Sequence, residues 1–171
     1  MGVRRVVTGH SSDGSAIVVS DEDVELMAFD DQGSGAMLLW GRDGTAEFPD
    51  DGSRPALSAA FPPIGGCAFS VMQIAPGSEA VHEFIRAGLE AWADPDEPGM
   101  HRSATLDYDI VIEGRVGLEL DDGVEVTLGP GDVVVQNGTR HRWHNRGDTV
   151  ARFLSVTIGA RQRLEGGRRD V

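Results

Sequence analysis

The chain has a single cysteine, Cys67. No disulfide can form within it, and zinc sites built from several thiolates are excluded. Cys67 stands in the apolar run Cys67-Ala68-Phe69-Ser70-Val71 and reads as a core filler rather than a nucleophile. No apolar h-region follows Met1-Gly2-Val3-Arg4-Arg5, so no secretory signal is expected. No stretch approaches the ~18 apolar residues of a membrane span, and the cytoplasm is the default expectation. There is no phosphate-cradling glycine loop, no nucleotide fingerprint, no internal repeat and no low-complexity linker. Cations are scarce as well: 15 basic residues face 28 acidic ones, a formal net charge of −13. A field of that sign repels phosphate backbones and anionic lipid, so neither nucleic acid nor a membrane surface is expected as a partner.

What is present suits a folded domain. The 171 residues are 40% apolar and 25% charged, enough for one domain with a real core and too little charge for wholesale disorder. Glycine is abundant, at 23 residues, and falls between short β-type runs such as Val3–Val7, Ala36–Trp40, Ala68–Ile74, Tyr108–Ile112 and Arg152–Ile158. Many short strands at regular spacing predict a sandwich or barrel. The clearest hairpin joins Val116–Leu120 to Val124–Leu128 through Asp121-Asp122-Gly123, with alternating apolar and polar residues on both sides. Gly129-Pro130-Gly131-Asp132 leads into Val133-Val134-Val135, a run that suits a strand covered on both faces. One segment, Ser78–Trp92, has helical spacing in Val81, Phe84, Ile85, Leu89 and Trp92, with Ser78 as its cap. It is expected near the mouth of the barrel, either as a lid or packed outside. The reading is therefore all-β: a β-rich arm over residues 1–59, a barrel over 60–160 and a tail over 161–171.

Three polar positions stand out. In an extended chain His101, Ser103, Thr105 and Asp107 share one face. His141, Trp143 and Asn145 share another, while His144 points the opposite way and is expected at the surface. Barrel closure would bring His101, Asp107 and His141 together. Two imidazoles and a carboxylate make a facial triad suited to iron, zinc or manganese. Ser103, Gln136 and Trp143 are the expected pocket walls. Arg140 and Arg142 read as solvated charges.

These motifs resemble those of the cupin family. Its first motif carries a His-x-His pair, then a Glu, then a Gly; here stand Gly99-Met100-His101-Arg102-Ser103, then Asp107, then Glu113-Gly114. Its second motif carries a Gly, a Pro-x-Gly, a His and an Asn; here stand Gly131-Asp132, Gln136-Asn137-Gly138, His141 and Asn145. The resemblance runs over roughly residues 62–158 and implies a double-stranded β-helix, or jelly-roll barrel. It departs from the pattern at the ligands. Ser103 replaces the second His, Asp107 replaces the Glu, and Gln136 replaces the Pro one residue short of the usual spacing. Metal-binding cupins use three His and one Glu, so the resemblance admits a divalent metal on His101, Asp107 and His141, or none.

The implied functions divide accordingly. One is an enzyme acting on a small organic molecule, of isomerase, dehydratase, decarboxylase, cyclase or oxygenase type. Without a metal, Asp107 would serve as general base and His141 as general acid. The alternative is a non-catalytic small-ligand-binding cupin, and a structural role comes last. The family picture also implies a homodimer, which would protect an edge such as Val3–Val7.

Overall fold

Among the described residues, the alternating runs become twelve strands. The structure, a computed structural model, describes residues 2–80, 93–94 and 96–162. In chain order the strands are β1 (Val3–His10), β2 (Ala16–Val24), β3 (Met27–Ala28), β4 (Gly35–Arg42), β5 (Cys67–Ile74) and β6 (Glu79–Ala80). Then follow β7 (Thr105–Glu113), β8 (Val116–Glu119), β9 (Glu125–Leu128), β10 (Val133–Gln136), β11 (Arg142–His144) and β12 (Ala151–Gly159). A single 3-10 turn, Asp121–Gly123, closes the β8–β9 hairpin, with Asp122 in the left-handed region at φ 58°. Among the described residues there is no α-helix.

The fold is all-β, as the alternation predicts. A six-stranded sheet runs β10-β7-β12-β5-β4-β3, and a four-stranded sheet runs β6-β11-β8-β9. Their inner faces meet in one core. Ile74, Val111 and Phe153 from the larger sheet pack with Val116, Leu118, Leu128 and Trp143 from the smaller. Each such chain contributes on the order of 1.5–3 kcal/mol by leaving water.

The first 59 residues divide in two. β3 and β4 lie within the stretch read as an arm, yet they are strands of the barrel's larger sheet. Only β1 and β2 form a sheet of their own, and this hairpin lies against the barrel's outside. Val3 and Val24 join Leu26 and Leu154 around the buried Met37, Leu39 and Val71. The helix expected over Ser78–Trp92 lies, from residue 81 onward, outside the described residues. Its start differs from expectation: Glu79 and Ala80 pair in β-register with His144 and Trp143. β10 is an edge strand, and Val133 and Val135 are 62% and 54% exposed, so that apolar run is covered on one face only. No helix among the described residues is long and apolar enough to cross a membrane.

Gly114 shows why the β7–β8 turn needs glycine. It sits at φ +69°, and a Cβ there would lie 2.3 Å from the carbonyl oxygen of Val150. Gly114→Ala is expected to lower the unfolding free energy by about 1–3 kcal/mol. The readout is a lower urea midpoint at unchanged m-value.

Candidate active site

Burial along the second half follows the period of two. His101, Ser103, Thr105, Asp107, Asp109 and Val111 are all buried, while Arg102, Tyr108, Ile110 and Ile112 are exposed. The inward positions of β7 meet those of its neighbours in cross-strand rows. Asp107 pairs with Gln136 on one side and Thr157 on the other; Asp109 pairs with Val134 and Ser155. Thr157 and Ser155 continue to Ala68 and Ser70 on β5. The next row, Val111, Phe153, Met72 and Ala36, is apolar. One end of the inner sheet face therefore carries carboxyls and hydroxyls, and the other carries hydrocarbon.

His101 and His141 are brought together by the backbone. Each donates its N–H to the other's carbonyl, at 2.9 and 2.8 Å, a short antiparallel bridge that sets them directly opposite. Their ring centroids are 4.3 Å apart. His101 Nδ1 lies 3.1 Å from the Gly99 carbonyl oxygen, and His141 Nδ1 lies 2.8 Å from that of Thr139. A carbonyl only accepts, so each Nδ1 carries the proton and each Nε2 is left as the bare nitrogen. Arg140, beside this bridge, is no free surface charge. It donates to Asp94 and Glu97 at 2.8 and 2.7 Å and to Asp121 at 2.6 Å, tying the loop before His101 to the segment that carries His141.

These groups share a cavity of about 380 Å³. His101, Ser103, Asp107, His141 and Trp143 line it, as do Asp109, Ser155 and Thr157. The rest of the lining is largely apolar, with Leu38, Leu57, Phe61, Met72 and Phe153. Trp143 stacks on Phe153 at 4.7 Å between centroids and turns its edge to His141 at 6.1 Å. Gln136, an expected wall, is buried but not among the lining residues; its Oε1 accepts from the Thr139 hydroxyl. Asn145, the last residue of the second motif, is a clamp. Its amide donates to the carbonyls of Ile74 and Thr149 at 3.1 and 2.7 Å, joining the ends of two strands.

Burial moves all four groups toward their uncharged forms. It pushes the Asp107 carboxyl up to about 6, against the weaker pull of the Thr105 and Thr157 hydroxyls. It pushes Asp109 up to about 7, with the neighbouring Asp107 charge adding to the rise. It pushes His141 down to about 3, with the His101 charge adding to the fall, and lowers His101 too. At neutral pH the imidazoles are uncharged, Asp109 is about half protonated, and Asp107 takes up its proton as the pH falls through about 6. Protonation thus comes harder to His141 than to either carboxyl of the site. One Asp107 oxygen, Oδ1, is buried without a hydrogen-bond partner.

The ligand set of metal-binding cupins does not fit here. Ser103 offers a hydroxyl bonded to Thr105 at 2.6 Å instead of an imidazole, and Asp107 is a methylene shorter than Glu. Among the described residues, the donor atoms of His101, Asp107 and His141 do not all come within 4.8 Å of one another. Only Glu119, Glu125 and His144 meet that spacing, and none of them lines this cavity.

The chain is similar to several known proteins. Residues 94–157 match the Cupin_2 family model, described as a cupin domain. A phomopsin biosynthesis cluster protein of Diaporthe leptostromiformis is 34% identical over 98 residues, covering 57% of this chain and 42% of its own length. The chain thus spans well under two thirds of that relative. A cupin-domain-containing oxidoreductase of Neurospora crassa is 26% identical over 173 residues, covering 96% of this chain and 77% of its own. Among solved structures, an RmlC-like cupin family protein with a double-stranded β-helix fold from Methanocaldococcus jannaschii is 14% identical with a TM-score of 0.46. That likeness covers 81% of this chain and 91% of the other.

Proposed function

Because the chain carries a cupin domain over residues 94–157, we propose that the barrel cavity is the active site of a small-molecule enzyme. Its chemistry is general acid–base catalysis on an uncharged carbonyl compound. The observation that carries this reading is that two imidazoles, each with Nδ1 against a carbonyl and Nε2 bare, share one cavity with two buried carboxyls whose hold on a proton is raised by burial. Such a pairing takes a proton from carbon and gives one to oxygen without creating a net charge. An imidazole Nε2 of His101 or His141 removes the proton α to the carbonyl. Asp107, as the acid, donates its proton to the carbonyl oxygen, and the product of the step is an enol. Isomerisation, dehydration and cyclisation all proceed from that enol. Asp109 stands next along the inner face of β7, where the Asp107 charge raises its hold on a proton.

The lining also speaks to the substrate. Among the described residues around the cavity there is no arginine, and the chain has no lysine. A carboxylate or phosphate would enter with no cation to meet it and two carboxyls beside it, a costly burial. The Trp143–Phe153 stack favours a flat, apolar body. A volume near 380 Å³ fits a small ligand. The oxidoreductases that carry the cupin name among the relatives support an enzyme over a passive binder.

The test works before the natural substrate is identified. Uncharged ketones and aldehydes are incubated with the protein in D₂O, and deuterium at the α-carbon is followed by NMR. Exchange above the buffer rate is expected for compounds that fit; none across a broad panel would reject the reading. Binding gives a second check, through Trp143 fluorescence. An uncharged ketone is expected to bind about tenfold or more tightly than its carboxylate analogue. Equal affinity for the two would refute the substrate assignment.

A further inference from the structure

The outer face of the four-stranded sheet holds a second polar centre, apart from the cavity. Register places Glu119 directly across from Glu125, and His144 directly across from Gly117. Two like charges in direct opposition repel, and Glu119 is only 13% exposed. His144 does not take the surface position expected of it: the residue is 3% exposed. Its ring lies against β8, where a Cβ on Gly117 would come within 2.0 Å of its Cε1. Glycine at 117 leaves the space the imidazole fills. His144 Nδ1 has no hydrogen-bond partner, and neither does the buried Glu119 Oε2. His144 Nε2 points at Glu125, 3.3 Å from its Oε2.

We propose that Glu119, Glu125 and His144 form a binding site for a divalent cation of the zinc or manganese class. One donor atom from each already lies within 4.8 Å of the others. Two carboxylate oxygens and an imidazole nitrogen suit such borderline ions, with water completing the shell. A cation is already favoured at this spot. The Arg146 guanidinium donates to Glu125 and lies 3.5 Å from Glu119 Oε2. Arg146 is 63% exposed, and an exposed pair of this kind is worth little, so the ion displaces it at small cost. Arg142 keeps its own bond to the other Glu119 oxygen, at 2.8 Å. Bound there, the ion ties the β8–β9 hairpin to β11, the strand that carries Trp143 into the cavity.

Isothermal titration of the full chain with ZnCl₂, repeated with MnCl₂, tests this. One ion per chain is expected. Glu125→Gln, at an exposed position, is expected to weaken binding by about tenfold or more. Arg146→Ala is expected to tighten it several-fold, since it removes the competing cation. His101→Gln, in the barrel, is expected to leave it unchanged. Absence of binding would overturn the proposal. So would binding lost in His101→Gln but kept in Glu125→Gln, which places the ion in the barrel. Binding that is weakened by Arg146→Ala would show the cluster to be an ion-pair network only.

Discussion

Asp107→Asn is expected to abolish most of the carbon-acid exchange, a drop of about 10²–10⁴-fold in rate, while leaving the protein folded. Asparagine has the same shape as the acid and can keep company with the Thr105 and Thr157 hydroxyls. What it lacks is a transferable proton. The buried Oδ1 of Asp107 has no partner in the protein, so the carboxyl is held ready for a group that the chain itself does not supply. An acid whose pKa is raised to about 6 by burial also donates and recovers its proton readily near neutral pH. Asp109→Asn is expected to cost less, because it leaves the donor in place and removes only its neighbour. Circular dichroism and the urea midpoint check that the fold survives. Full activity in a folded Asp107→Asn protein would remove the acid from the mechanism, and the imidazole pair would have to act alone.

The residues that sequence alone makes legible are those whose position follows from a period of two. From His101 onward every second residue points inward through Val111, and the alternation places Ser103 and Asp107 in the cavity without any structure. The Val116–Leu128 hairpin is legible for the same reason, with Asp121–Gly123 as its turn. The same period reaches Asp109, one step beyond the motif, and a reading that stops at the motif residues misses it. Other features depend on partners distant in the chain, which periodicity does not reveal. His144 faces away from Trp143 as the alternation predicts, but its burial depends on a glycine in another strand. Gln136 is buried in register with Asp107, yet the Thr139 hydroxyl holds its carbonyl oxygen and it does not line the cavity. Val133 and Val135 look like a covered strand because their composition is apolar; only the pairing shows that β10 is an edge. The pairing of β3 and β4 with the barrel sheet is of this kind too.

The pH dependence of stability offers the sharpest test of the charge inversion. In the unfolded chain, between the ordinary values of 3.8 for aspartate and 6.5 for histidine, the two imidazoles carry protons and the two carboxyls do not. In the fold the carboxyls hold theirs up to about 6 and 7, and His141 is neutral down to about 3. Folding therefore adds protons to the two carboxyls and removes that of His141, with His101 shifted in the same direction. The signs oppose. The raised carboxyls contribute stability that is lost as pH rises through their folded values, and the depressed imidazoles contribute stability that is lost as pH falls below 6.5. For these four groups the opposing slopes of the parent protein should largely offset one another across that window. In Asp107→Asn/Asp109→Asn the compensation is gone: the unfolded state then binds more protons than the folded one. Stability should climb with pH by about 1.4 kcal/mol per pH unit for the uncompensated His141, with His101 adding in the same direction. Above the folded carboxyl values the variant should be more stable than the parent, which must then bury two charges. Urea midpoints taken across the window decide the matter. A double variant as flat as the parent would mean that the imidazoles keep their protons on folding, and the cavity could not then hold the bare nitrogen that abstraction from carbon requires.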